Sequence, residues 1–186
     1  MCHALLDDPK LYVFLLRIDE EQAAEMRANG CICGGRLHRA NYQRKPRGGR
    51  RDLDAAFRLR LSFCCATCRR RHTPMSVRFL GRRVYLGAVV VLASAMRFGL
   101  TVRRVAQLTD WFGVPRQTLD RWRHWWQQDF VDSHFWQQVR ARFMPPLQLS
   151  TLPASLLSRF AGVNLLERTV FTLRFLAPLT TRHEGR

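Results

Sequence analysis

Residues 57–63 read Phe-Arg-Leu-Arg-Leu-Ser-Phe, apolar and polar in strict alternation, the period of a strand with one buried and one wet face. Its wet face carries Arg58 and Arg60. Upstream, residues 11–18 (LYVFLLRI) are a mostly apolar run compatible with a buried strand, after which Asp19, Glu20 and Glu21 supply an N-cap and dipole-matched acids for a helix. Asn29 and Gly30 form a good helix end. A short strand is expected over 36–42. Residues 43–51 (QRKPRGGRR) hold Pro, two Gly and nothing large and apolar, which reads as a loop.

After Pro74 the pattern turns helical. Residues 85–98 are apolar on nearly all sides, as in a central buried helix, with Gly99 to stop it and Thr101 to cap the next. Residues 101–128 read as a two-helix unit. Beyond Met144-Pro145-Pro146 the pattern predicts a linker, then helices at about 154–160 and 165–176, the second opened by an Asn164-x-x-Glu167 pair like a capping box. Their apolar residues complete a core.

Charge changes the picture. From Cys31 to Arg83 there are fourteen Arg and Lys45 against only Asp52 and Asp54, so +13 of the chain's +17 is local. Codon bias toward Arg explains the residue type, with 29 of 31 basic residues being Arg, but not the clustering. Such a field attracts phosphate backbones, and guanidinium groups fork onto phosphate oxygens and guanine edges. An anionic membrane surface is the weaker alternative. The apolar run 84–96 is too short to span a bilayer, and the N-terminus carries acids where a secretory signal has bases. The expected location is a bacterial-type cytoplasm, where thiols stay reduced and act as metal ligands or free thiols before disulfides.

Five of the six cysteines fall in two short clusters, Cys31-Ile32-Cys33-Gly34-Gly35 and Cys64-Cys65-Ala66-Thr67-Cys68. Four thiolates on two tight turns satisfy tetrahedral Zn2+, and a closed four-sulfur shell is structural because no position remains for water. The expected ligands are Cys31, Cys33, Cys65 and Cys68. Cys64 is an alternative to Cys65, His38 or His72 to Cys31, and Cys2 is spare.

Residues 105–126 read VAQLTDWFGVPRQTLDRWRHWW. With Gly113 at the turn, Leu108 and Phe112 can face Val114, Leu119 and Trp122, the small core that a helix-turn-helix requires. The opposite face of the second helix then carries Gln117, Asp120, Arg121, His124 and Gln128, with Arg116 at its N-terminal edge. Arg116, Gln117, Arg121 and His124 are residue types that read base edges. Expected phosphate contacts are Arg44, Lys45, Arg47, Arg50, Arg51, Arg58, Arg60, Arg69, Arg70, Arg71, Arg103 and Arg104. An ordinary two-helix bundle element is the competing interpretation.

The segments CICGGRLHRANYQRKPRGG, RLSFCCATCRRRHTPMSVRFLGRRVYLGAVVVL and GVPRQTLDRWRHWW, in that order, resemble small bacterial transposon-associated proteins with a transposase-type zinc ribbon followed by a helix-turn-helix. The resemblance covers residues 11–180 as a layout. It implies binding of DNA for a mobile element, with a transposase or recombinase as possible partner. The fold class expected is α+β, a small β-rich zinc ribbon followed by an all-α helix-turn-helix bundle. Its divisions are an N-terminal strand and helix (1–30), an arginine-rich ribbon (31–83), the helix-turn-helix domain (84–146) and C-terminal helices (147–186). The fourteen acids include no strand-borne trio for two-metal strand transfer, and no catalytic serine or tyrosine context stands out, so a non-enzymatic protein is expected. The alternatives are an accessory or truncated transposase subunit acting through protein contacts, or an RNA-binding zinc ribbon.

Overall fold

The computed structural model describes residues 2–48, 52–80, 85–96 and 102–181. Helices α1 (Cys2–Asp7) and α2 (Pro9–Asn29) come first, followed by five short strands. These are β1 (Leu37–Arg39), β2 (Tyr42–Gln43), β3 (Leu59–Arg60), β4 (Phe63–Cys65) and β5 (Arg71–His72). Among the described residues six α-helices follow: α3 (Gly87–Met96), α4 (Val102–Phe112), α5 (Arg116–Gln127), α6 (His134–Val139), α7 (Ala154–Arg159) and α8 (Leu165–Leu176). This is the α+β class expected. No helix among the described residues is long and apolar enough to cross a membrane.

Residues 11–18 are helical, which corrects the expected strand. In helical spacing Leu11, Tyr12, Leu15 and Ile18 share the buried face, while Val13 and Phe14 are exposed. An apolar run of eight fits either period. The cap is Asp8, whose carboxylate accepts from Lys10 N at 2.9 Å, and Asp19 is not a cap but a buried mid-helix acid. Gly30 ends the helix at φ 71°, as expected.

The strands form two small antiparallel sheets, one in the order β1-β4-β5 and one pairing β2 with β3. Leu37 lies opposite Cys65 in the first, and Tyr42 opposite Arg60 in the second. The alternating segment 57–63 is therefore not one strand. Ala56–Arg58 is a 3-10 turn, and the chain changes sheet between Arg60 and Phe63. Arg58 is exposed, but Arg60 is buried at 3%, donating to Pro74 O at 2.6 Å, which removes it from the expected phosphate contacts. Alternation mistook an arginine folded inward for one facing water.

Asp19 and Arg78 bind α2 to the strands. Arg78 is 0% exposed, and its Nε donates to Asp19 Oδ2 at 2.7 Å. Its terminal nitrogens donate to Phe57 O at 2.7 Å, Leu59 O at 3.0 Å and Ala56 O at 3.2 Å. Asp19 also accepts from Ser76 Oγ at 2.6 Å and Val77 N at 2.7 Å. The rings of Phe57 and Phe79 lie 5.2 and 5.0 Å from the guanidinium carbon.

Helix α3 is central to the helical part: Gly87 through Ser94 are all buried, as its all-round apolar sequence requires. A Cβ on Gly87 would lie 3.0 Å from Leu173 Cδ2 and 3.2 Å from Val77 O, so the missing side chain lets α3 close on α8. Its expected extension to residue 98, with Gly99 and Thr101, lies outside the described residues. The Asn164 cap forms, accepting from Glu167 N at 2.9 Å, while Glu167 reaches back to Val163 N at 2.9 Å. Helix α6 was not anticipated. Ser133 caps it, and Trp136 stacks into an aromatic cluster with Phe130 and Phe143 at ring separations of 5.2 and 5.7 Å.

Removing one partner of the Asp19–Arg78 pair strands the other charge in the core. Asp19→Ala should therefore cost about 3–5 kcal/mol by urea unfolding, and Asp19→Leu with Arg78→Met should recover much of that loss.

Candidate metal centre and basic surface

Each cysteine pair sits on a turn that aims sulfurs inward. In the first, Gly34 N donates to Cys31 O at 2.8 Å and Cys31 N to Gly35 O at 3.2 Å, with Gly34 at φ 79°. In the second, Cys65 N bonds Arg70 O at 3.0 Å, Arg69 N bonds Cys65 O at 3.1 Å, and Cys68 N points at Cys65 Sγ, 3.5 Å away. Arg69 turns the chain at φ 58°. A Cβ on Gly35 would lie 2.5 Å from Cys65 Sγ and 2.6 Å from Thr67 Oγ1, so only glycine lets the two turns meet.

The sulfurs of Cys31, Cys33, Cys65 and Cys68 all lie within 4.8 Å of one another. Cys31 is 3.5 Å from Cys33 and 3.6 Å from Cys68, and Cys33 is 3.5 Å from Cys65. A tetrahedral ion with metal–sulfur bonds of about 2.3 Å separates its sulfurs by about 3.8 Å, so the cluster can hold a metal ion such as zinc. Cys64 turns away, its Sγ 3.4 Å from Arg69 O. His38 lies opposite Cys64 in the β1–β4 pairing, outside the four. His72 Nε2 stands 3.3 Å from Cys31 Sγ, positioned to donate an N–H to that sulfur. The side chain of Cys2 lies outside the described residues.

The thiols are electrostatically unequal. The Cys68 amide, with Thr67 N–H and the Cys33 and Cys68 sulfurs, outweighs burial and lowers Cys65 to about 6. At Cys31 the Cys33 amide pulls downward, but burial and the sulfurs of Cys33, Cys68 and Cys65 prevail and push it up to about 12. Like charges crowded together resist joint ionisation, and a bound cation removes that penalty.

The basic surface is partly anchored. Arg71 donates to Ala40 O at 2.9 Å and Ser62 Oγ at 3.1 Å, and lies over the exposed Tyr42 ring at 5.7 Å. Arg44 lies over Phe79 at 5.5 Å. The expected basic loop is pinned where it is described: Leu86 N bonds Arg47 O at 3.2 Å, and Gly48, at φ 81°, leaves room for Val89. Lys45, Arg47, Arg58, Arg69, Arg70 and Arg103 are exposed. Arg50, Arg51 and the side chain of Arg104 lie outside the described residues.

Helices α4 and α5 meet at Gly113, φ 58°, with Val114, Leu119 and Trp122 buried as expected and Trp126 buried beside them. The side chains of Leu108 and Phe112 lie outside the described residues. Trp122 meets Tyr85 edge-on at 5.1 Å. Arg116, Gln117, Arg121 and His124 are exposed, with Arg121 Nη2 donating to Thr118 Oγ1 at 2.9 Å. Sequence reasoning missed Arg27, Arg36 and Arg39, which the end of α2, the following turn and β1 bring to one trough.

Comparison of the chain with protein-family models, curated proteins and solved structures returns no match in any of the three.

Protein purified without chelator should carry about one equivalent of metal, and chelation should lower its melting temperature. Gly35→Ala should reduce metal retention, because the added methyl falls where Cys65 Sγ sits. Elemental analysis and melts with and without chelator measure both effects.

Proposed function

We propose that the chain is a non-enzymatic DNA-binding protein of a mobile genetic element, with Zn2+ as structural ion of the ribbon and α5 as base-reading helix. The supporting observation is the α4–α5 hairpin. Burial of Leu119, Trp122 and Trp126 on one side leaves Arg116, Gln117, Arg121 and His124 in water on the other. A helix entering the major groove N-terminus first presents those side chains to base edges. Arg121 gains a guanine fork when it exchanges its Thr118 bond, and Gln117 suits adenine. The local +13 of residues 31–83 supplies attraction to phosphates without choosing a sequence. The mobile-element assignment comes from the resemblance in layout, and a transposase or recombinase is the partner it implies.

If about six phosphates are neutralised, the slope of log K against log salt should be roughly −5, and a slope near zero removes the electrostatic basis. Arg121→Ala should cost about 1–3 kcal/mol on sites selected from random duplex DNA and little on random DNA. An unchanged ratio of the two affinities would mean that α5 is a scaffold. Trp122→Ala is the contrasting variant. It should destabilise the fold by about 3–5 kcal/mol, measured by melting.

A further inference from the structure

Between α2 and the ribbon lies a trough of about 650 Å³, within the size range of small-ligand sites. Half-buried Leu16, Leu59 and Leu61 with exposed Ala24 and Ala28 give the trough its accessible apolar lining, over a buried floor of Ala23, Leu37 and Phe63 that belongs to the small core around Cys31 and Cys65. Arg27 from α2, Arg36 from the turn before β1 and Arg39 from β1 also line it, all exposed. Among the described residues none of these guanidiniums has a hydrogen-bond or ion-pair partner. Asn41 is oriented by its Oδ1, which accepts from Ser62 N at 3.0 Å, leaving its amide N–H groups to donate. Glu20 is the single acid in the lining.

We propose that this trough holds one unpaired nucleotide of a single strand, its base on the apolar lining and its phosphates on Arg27, Arg36 and Arg39. The proposal rests on the nucleic-acid reading above but names a second subsite, chemically distinct from the α5 face. A duplex is too wide to enter a cavity of this volume, whereas a splayed base presents a flat apolar face that every sequence shares. Guanidinium forks match phosphate oxygens. The directed amide of Asn41 can donate to a base carbonyl; an acidic peptide is the other occupant that this charge pattern admits, and the test includes it.

The test uses the full chain with fluorescently labelled strands of about 12 nucleotides, a length within single-strand site sizes. Four probes are compared: a single strand, its abasic counterpart, the matching duplex and an acidic peptide. The wild-type protein should bind the single strand about tenfold more tightly than the abasic strand. Replacing Arg27, Arg36 and Arg39 together by Ala should lower duplex affinity through the lost general attraction of three charges, and should weaken the single strand at least tenfold more than the duplex. Ala24→Leu fills the trough from an exposed helix position without altering charge, and should also lose the preference for bases. Melting curves of the variants establish that they fold. Equal binding of abasic and intact strands, parallel losses on single strand and duplex, or binding of the peptide alone would each overturn the subsite. If duplex binding persists while single-strand binding ignores the variants, only the subsite fails. If no nucleic acid binds at all, the nucleic-acid reading fails with it.

Discussion

A guanidinium with no exposure ties the middle of α2 to the chain leading into β3. Arg78 reaches Asp19 in the middle of α2 and the carbonyls of Ala56, Phe57 and Leu59, so one side chain joins a helix, a turn and a strand start. The strands are only two or three residues long, and their ladders leave carbonyls that must find donors elsewhere. Arg78 supplies donors to Leu59 O of β3 and to the carbonyls of Ala56 and Phe57 in the turn before it, and the carboxylate supplies the counter-charge. Because every partner sits at a fixed angle, the contact specifies register as well as attraction. Burial of apolar surface alone does not do that.

Much of the fold could be read from local pattern. The Leu119, Trp122 and Trp126 stripe, Gly113 and the Asn164–Glu167 pair are decided within a few residues of chain, and the structure keeps them. The metal cluster was legible for a different reason: four cysteines in two turns have few ways to be useful. What failed was long-range. Residues 11–18 satisfy either period until the faces they pack against are known. Arg60 follows a perfect alternation, yet its side chain goes inward because Pro74 O waits there. Helix α6 is held by aromatic neighbours scattered from Phe130 to Phe175, a dependence that no local window contains.

The proximity of charge and cysteines along the sequence also has a structural counterpart. Arg69 and Arg70 belong to the turn that carries Cys65 and Cys68, so the backbone bonds that aim sulfur inward also place guanidiniums outward. Arg71 is braced against Ala40, Ser62 and the Tyr42 ring. Basic groups held this way lose less freedom when an anion arrives than free side chains do.

Helix α2 enters two separate apolar cores. Leu11, Tyr12, Leu15 and Ile18 belong to the large helical one, and Ala23 to the small one around Cys31 and Cys65. At 21 residues it spans about 30 Å, and along that length it has no break at which one half could melt alone. The small core has too few side chains to stand by itself, so its survival is borrowed from the sulfur cluster and from the helix. A helix shared in this way makes the two cores one cooperative unit: whatever tightens the sulfur cluster slows local opening of the α2 amides on the far side of the molecule.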